Sequence, residues 1–171
     1  MQESGSYEQS PTRIVVAANL LSFFIYLTGV FLLYQVGIVW AILYLIFIIL
    51  LEFRLLSRHC VDCYYYGKTC AFGKGKLSSR IFPKGMPERF NRQSMTWKDI
   101  IPDFLAILIP VLAGIDLLVI AFRWIILLLT ILLVILGFFG NAFVRGQLAC
   151  RYCRQKKIGC PAAQLFGIGN M

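Results

Sequence analysis

Apolar positions are not scattered along this chain but grouped in two long blocks. Between Arg13 and Glu52 no residue is charged, a run about twice the roughly 20 residues that cross a hydrocarbon core as one helix. The run must turn back on itself. Its one polar break near the middle is Tyr34-Gln35-Val36-Gly37, so helices are expected over about Ile14–Tyr34 and Ile38–Leu56. The second block, Phe104 to Val144, carries only Asp116 and Arg123 as charges. Phe122-Arg123-Trp124 offers the charge and interfacial aromatics of a turn. The pattern predicts an all-α integral membrane protein of four transmembrane helices in two tandem hairpins, residues 14–56 and 104–144. Around them lie a polar amino-terminal segment (1–13), a middle segment (57–103) and a tail (145–171).

Composition agrees with that reading. The chain is 59% hydrophobic and 15% charged, whereas a soluble domain is roughly 45–50% apolar and about 25% charged. A cleavable signal peptide is not expected, because the first apolar run follows an acidic leader (Glu3, Glu8) and continues into a second span. Ten of the 17 Lys and Arg residues lie between Arg54 and Lys98 and five between Arg145 and Lys157, while the hairpin tips hold only Arg123. Positive charge marks the cytoplasmic side. A multi-pass protein of the cell membrane is expected, with the middle segment and both termini cytoplasmic.

The candidate chemistry lies in the inward segments. Cys60, Cys63 and Cys70 are followed ninety residues later by Cys150, Cys153 and Cys160, the pattern C-x2-C-x6-C written twice with no cysteine outside it. Aligned on cysteine, the first helix falls on the third and the second on the fourth. The chain therefore reads as a duplicated unit of hairpin plus cysteine knuckle, and two copies of even span number are expected to be parallel repeats about an axis normal to the membrane. Cytosolic thiols stay reduced, so metal binding or thiol chemistry is favoured over a disulfide framework.

A C-x-x-C step points two sulfurs one way, and a third cysteine seven residues on can return to the same ion. Three thiolates leave tetrahedral zinc one ligand short. His59, water or a sulfur of the other copy could complete it, and six sulfurs can also hold two zinc ions by sharing. The adjacent His59 and Cys60 cannot both reach one ion without a strained turn, which ranks His59 behind the six sulfurs. The second motif, Ala149-Cys150-Arg151-Tyr152-Cys153-Arg154-Gln155-Lys156-Lys157-Ile158-Gly159-Cys160, resembles the first half of a fungal binuclear zinc cluster in spacing and basic insert. The first motif lacks that insert and a membrane hairpin separates the halves, so no nucleic acid is expected as a partner. Zinc is the favoured cofactor. An iron–sulfur cluster is the alternative, for which four of the six cysteines suffice and Cys160-Pro161 is similar to the Cys-Pro step of bacterial ferredoxins.

Several neighbouring features have plainer readings. Gly73-Lys74-Gly75-Lys76 invites comparison with a phosphate loop but lacks the Gly-Lys-Ser/Thr ending. Lys68, Lys74, Lys76, Arg80, Arg151, Arg154, Lys156 and Lys157 are expected to contact anionic lipid head groups or a partner, each adding on the order of 1 kcal/mol at such a surface. Tyr64-Tyr65-Tyr66 reads as an interfacial belt. Residues 81–103 read as a surface connector with Phe90 and Trp97 dipping toward lipid, and Gln164–Met171 as a loosely ordered tail.

The function expected from these signals is a small membrane protein with a cytoplasmic-face metal site, serving as a structural or binding module or an accessory subunit. An iron–sulfur electron-transfer subunit meeting an acidic redox protein, or other membrane subunits, is the first alternative. A thiol-dependent enzyme acting on lipid or quinone is the second. One histidine and scattered carboxylates form no acid–base constellation, so the reading leans away from an enzyme.

Overall fold

The computed structural model describes residues 7–87, 90, 97–158 and 160, with the backbone alone at 97–100, 157 and 158. Helix α1 spans Thr12–Val36 and α2 Ile38–Leu55, with Gly37 as the whole connection. Gly37 closes both ends: its N–H donates to Leu33 O (3.0 Å) and its own carbonyl accepts from the Ala41 N–H (3.3 Å). Helix α3 covers Lys74–Ile81, α4 Trp97–Ile120, α5 Trp124–Ile135 and α6 Arg154–Ile158. Both α2 and α5 run on in wider i→i+5 turns, over Leu56–Cys60 in the first case and over Leu136–Gly140 and Ala142–Cys150 in the second. Four stretches, Thr12–Val36, Ile38–Cys60, Ile101–Ile120 and Trp124–Cys150, are long and apolar enough to cross a membrane. This is the build of an all-helical, multi-pass membrane protein. Phe23, Leu43, Ile125 and Phe139 are all more than half exposed, which suits lipid rather than water as the surroundings.

Two boundaries differ from the sequence reading. Helix α4 begins at Trp97 rather than Phe104, because a helix continues into polar sequence wherever its backbone bonds can form; only the hydrocarbon-crossing part needs to be apolar. Ala121–Arg123 forms the turn, with Arg123 extended at the start of α5. Phe90 is buried against protein instead of dipping toward lipid. The Trp97 side chain and the tail Gln164–Met171 lie outside the described residues.

The chain divides into two compact units. One comprises Leu20–Glu52 and Trp97–Ala142 and consists of the apolar helices. Its packing depends on close approaches: a Cβ on Gly114 would run into Thr130, and one on Gly137 into Ile107. Leu33, Tyr44, Ile48 and Ala113 form a buried cluster. Pro110 lies inside α4 and is fully buried. It has no N–H for the carbonyl four residues back, which is that of Ala106, and the Tyr44 hydroxyl donates to that oxygen at 2.6 Å. Gly29 leaves room for the Tyr44 ring, whose hydroxyl would stand 2.6 Å from a Cβ there. Nearby, the Tyr26 hydroxyl donates to Glu52 Oε1 (3.1 Å). Gln35, near the end of α1, and Arg123, at the start of α5, line a common cavity of about 390 Å³ with Phe31 and Trp124.

Candidate metal centre

The second unit is Met1–Asn19, Phe53–Thr96 and Phe143–Met171. It holds fifteen of the 17 basic residues but four of the eight acidic ones, a net +11, against −2 for the helical unit. It also holds all six cysteines, every one a free thiol and partly buried.

Local structure places the first motif in steps. The wider turn after α2 ends at Cys60, and the Ser78 hydroxyl of α3 donates to Leu56 O at its start (3.2 Å). Widened turns of this kind leave carbonyls unmatched and recur at functional sites. After Cys63 the chain turns, with the Tyr66 N–H on Cys63 O (3.0 Å). It then loops back so that Gly67 N–H meets Gly75 O (3.1 Å). Glycine is required twice in the stretch that was compared with a phosphate loop. Gly73 takes φ +69° at the start of α3, and a Cβ on Gly75 would meet the carbonyl oxygens of Tyr65 and Lys68. Replacing Gly73 with alanine is expected to lower thermal stability by about 1 kcal/mol, the usual cost of a left-handed non-glycine residue, read as a shift in the melting curve in detergent. Asp62, only 4% exposed, packs against Gly85, and its Oδ1 has no hydrogen-bond partner among the described residues.

The second motif has matching bonds. Cys150 ends the wider turn after α5, and the Lys156 N–H donates to Cys153 O (3.2 Å), as that of Tyr66 does to Cys63 O. The amide two residues on points at each middle sulfur: Tyr65 N–H at Cys63 and Gln155 N–H at Cys153.

Three groups tie the motifs together. The amino-terminal strap contacts both, with Ser10 N–H on Thr69 O (2.9 Å) and Tyr7 N–H on Tyr152 O (3.0 Å). The Tyr65 hydroxyl donates to Tyr7 O (2.6 Å) and accepts the Arg154 N–H (3.0 Å). Gln155, 3% exposed, accepts the Tyr64 N–H at 2.7 Å on its Oε1, and the Cys63 thiol stands 3.9 Å from the same oxygen. Arg154 also pairs with Glu8 (2.8 Å). Because Glu8 is largely exposed, Glu8→Gln is expected to change stability by less than about 1 kcal/mol, measured by the same melt.

The electrostatics follow from this crowding. Burial pushes the Cys63 thiol up to about 12; the Tyr65 N–H opposes the rise, while Cys153, Cys60 and Cys70 add to it. Burial likewise raises Cys153, against the N–H groups of Gln155 and Lys156, and Cys160 and Cys70 push it further. Each middle cysteine thus senses sulfur from the other triplet. As free thiols both are protonated at neutral pH, which disfavours a nucleophilic role. Among the described residues no three Cys, His, Asp or Glu side chains stand together as a ready ion-holding group.

Of the basic residues singled out in the sequence, Lys68 bonds the Tyr64 hydroxyl (3.2 Å) and lies over its ring at 4.4 Å, with Arg154 over the same ring at 5.3 Å. Arg151 stacks on Tyr152 at 5.9 Å. Lys76 and Arg80 are exposed on α3, Lys74, Lys156 and His59 are partly exposed, and the Lys157 side chain lies outside the described residues. Tyr65 is buried, not part of an interfacial belt. A cavity of about 260 Å³ reaches Cys63 between Tyr64, Tyr66, Lys68, Lys84 and Gln155. Sequence reasoning missed Tyr7, Tyr65 and Gln155 as organising residues. A buried glutamine within a basic run carries no local signal.

Compared with known protein families, curated proteins and solved structures, the chain has no match.

Proposed function

We propose that this chain is a small multi-pass membrane protein whose two C-x2-C-x6-C triplets jointly bind metal, zinc before iron–sulfur, and that it serves as a binding or structural module, or as an accessory subunit, at the cytoplasmic face. The observation that carries the reading is the gathering of all six cysteines, from segments ninety residues apart, into one compact unit. The six thiols are partly buried and free of disulfides, and a cation that took them as thiolates would replace their protons with bonds to the metal. Cys60, Cys63, Cys70, Cys150, Cys153 and Cys160 would be the ligands, and zinc suits an all-sulfur set that undergoes no redox change. The matching turns at Cys63 and Cys153 support two knuckles derived from one tandem hairpin unit. The amides aimed at the sulfurs are the contacts that steady bound thiolates.

The net +11 of the cysteine unit supports the cytoplasmic assignment of both termini and an anionic-lipid surface beside it. On α3, Leu77 and Ile81 are exposed next to Lys76 and Arg80, the mixture that lies in a head-group layer.

Elemental analysis and an absorption spectrum of protein purified without oxygen test the reading. Zinc without visible absorption is the expected result. Iron with sulfide and a broad visible band would move the assignment to the iron–sulfur alternative, and protein free of any metal would overturn it.

A further inference from the structure

We propose that the cavity of about 260 Å³ beside Cys63 is a binding site for a phosphomonoester, with Lys68 and Lys84 holding the phosphate and Tyr64 and Tyr66 flanking the group esterified to it. The inference goes beyond the metal reading and uses no ion. Both lysines line the cavity, and none of the described residues lining it is acidic. The walls are held in place by protein alone. Gln155, 3% exposed, accepts the Tyr64 N–H (2.7 Å) and so fixes the backbone that carries the first ring. That ring lies under Lys68 Nζ at 4.4 Å and the Arg154 guanidinium at 5.3 Å, and its hydroxyl accepts a bond from Lys68 (3.2 Å). Tyr66 is anchored by its hydroxyl, which donates to Phe82 O (2.8 Å). An ammonium group has three donors, and Lys68 spends one of them on Tyr64.

Lys84 belongs to a segment pinned on both sides. The Phe82 N–H donates to Ser78 O (2.9 Å) and its ring meets Phe53 edge-on at 5.3 Å, while the Gly85 N–H donates to Val61 O (3.1 Å). The Lys84 ammonium itself has no hydrogen bond or ion pair among the described residues. Asp62 packs against Gly85 of the same segment but does not line the cavity. A phosphomonoester brings about −1.5 to −2 of charge at neutral pH and three acceptor oxygens, which two ammonium groups match, lysine binding phosphate as a point charge. Volume limits the rest of the ligand, since the cavity falls below the roughly 300–1,000 Å³ of sites for drug-sized molecules. It suits a phosphate bearing a few carbons against the tyrosine rings. Such a phosphate can come from a small soluble ester or from the head of phosphatidic acid, and the chemistry at the lysines is the same.

Glycerol phosphate is the soluble probe and glycerol its uncharged control, each titrated by calorimetry into the full-length protein, as purified, in lipid-free detergent. The unaltered protein should bind the phosphate and not glycerol. Lys68→Gln and Lys84→Gln should each weaken binding by about tenfold or more, the effect of losing one charge-assisted hydrogen bond, and Lys84→Arg should keep most of it. Because the Lys84 side chain holds nothing else among the described residues, Lys84→Gln is expected to leave the melting curve unchanged even if Lys68→Gln disturbs Tyr64. Lys76→Gln and Arg80→Gln remove the same charge on α3, outside the cavity, and should change affinity by less than about twofold. Repeating the titration in phosphatidylcholine nanodiscs containing phosphatidic acid or, at equal surface charge, phosphatidylglycerol separates the two sources. Competition by phosphatidic acid alone assigns the site to the lipid head, equal affinity in both discs assigns it to the soluble ester, and either result supports the phosphate site. No binding of glycerol phosphate in detergent, undiminished binding by Lys84→Gln, or an equal loss in the α3 variants would overturn it. None of these outcomes bears on whether the cysteines hold metal.

Discussion

If the cysteine unit binds metal as proposed, stripping it from the intact protein with a chelator is expected to open that unit while the apolar helices stay folded. The cysteine unit is assembled from three separated segments, and among the described residues its buried hydrophobic side chains are few and scattered: Ala18, Leu56, Tyr65, Ala71, Phe90 and Ala149. Such a core contributes little. In small zinc domains the metal supplies on the order of 10 kcal/mol of folding free energy, and a metal bound here would add to hydrogen bonds such as Tyr65 to Tyr7 and Ser78 to Leu56. Amide exchange should therefore speed up at Tyr64, Tyr66 and Cys153 after chelation, and limited proteolysis should cut within residues 61–87. Exchange in α1, α2, α4 and α5 should be unchanged, since lipid or detergent keeps their backbone bonds formed. Full protection of Tyr64 and Cys153 in metal-free protein would show that the hydrogen-bond network alone holds the unit, and would remove the physical need for an ion.

The second large effect concerns the helices. Tyr44→Phe is expected to cost about 2 kcal/mol, near the upper end for a hydrogen bond between membrane helices, because Ala106 O, without the N–H that Pro110 lacks, loses the donor the hydroxyl supplies. Pro110→Ala restores an N–H at position 110 that can close the regular bond to Ala106. In that background Tyr44→Phe should cost far less, leaving a coupling of at least about 1 kcal/mol between the two substitutions. Thermal unfolding of the four proteins in one detergent supplies the cycle, and strictly additive costs would mean that the Tyr44 hydroxyl does not serve the carbonyl freed by proline.

These two predictions draw on parts of the chain that differ in how openly the sequence announces them. The spans are legible because hydrocarbon tolerates no unpaired backbone and almost no charge, so Ile14 to Glu52 and Phe104 to Val144 could be little else. The turn at Gly37 and the break around Phe122-Arg123-Trp124 are legible for the same reason. The start of α4 at Trp97 is not, because Lys98, Asp99 and Pro102 lie beyond the apolar run, where helix and connector differ only in backbone bonding. Cysteine spacing made the six sulfurs visible as a set. Their supports stayed hidden, since Tyr7, Tyr65 and Gln155 act on residues 58 to 145 positions away, and bonds over such separations impose no period or motif on the intervening chain. Gly73 and Gly75, whose spacing already departs from a phosphate loop, are explained by one left-handed residue and one close approach to carbonyls.

The amino-terminal strap constrains the order in which the molecule can be completed. Glu8 meets Arg154 across 146 residues of sequence, so this contact can close only after the segment carrying the second triplet has been made. Loop closure over that distance is slow compared with helix formation. Until then the first triplet lacks the contacts that Arg154 and Gln155 make with Tyr65 and Tyr64.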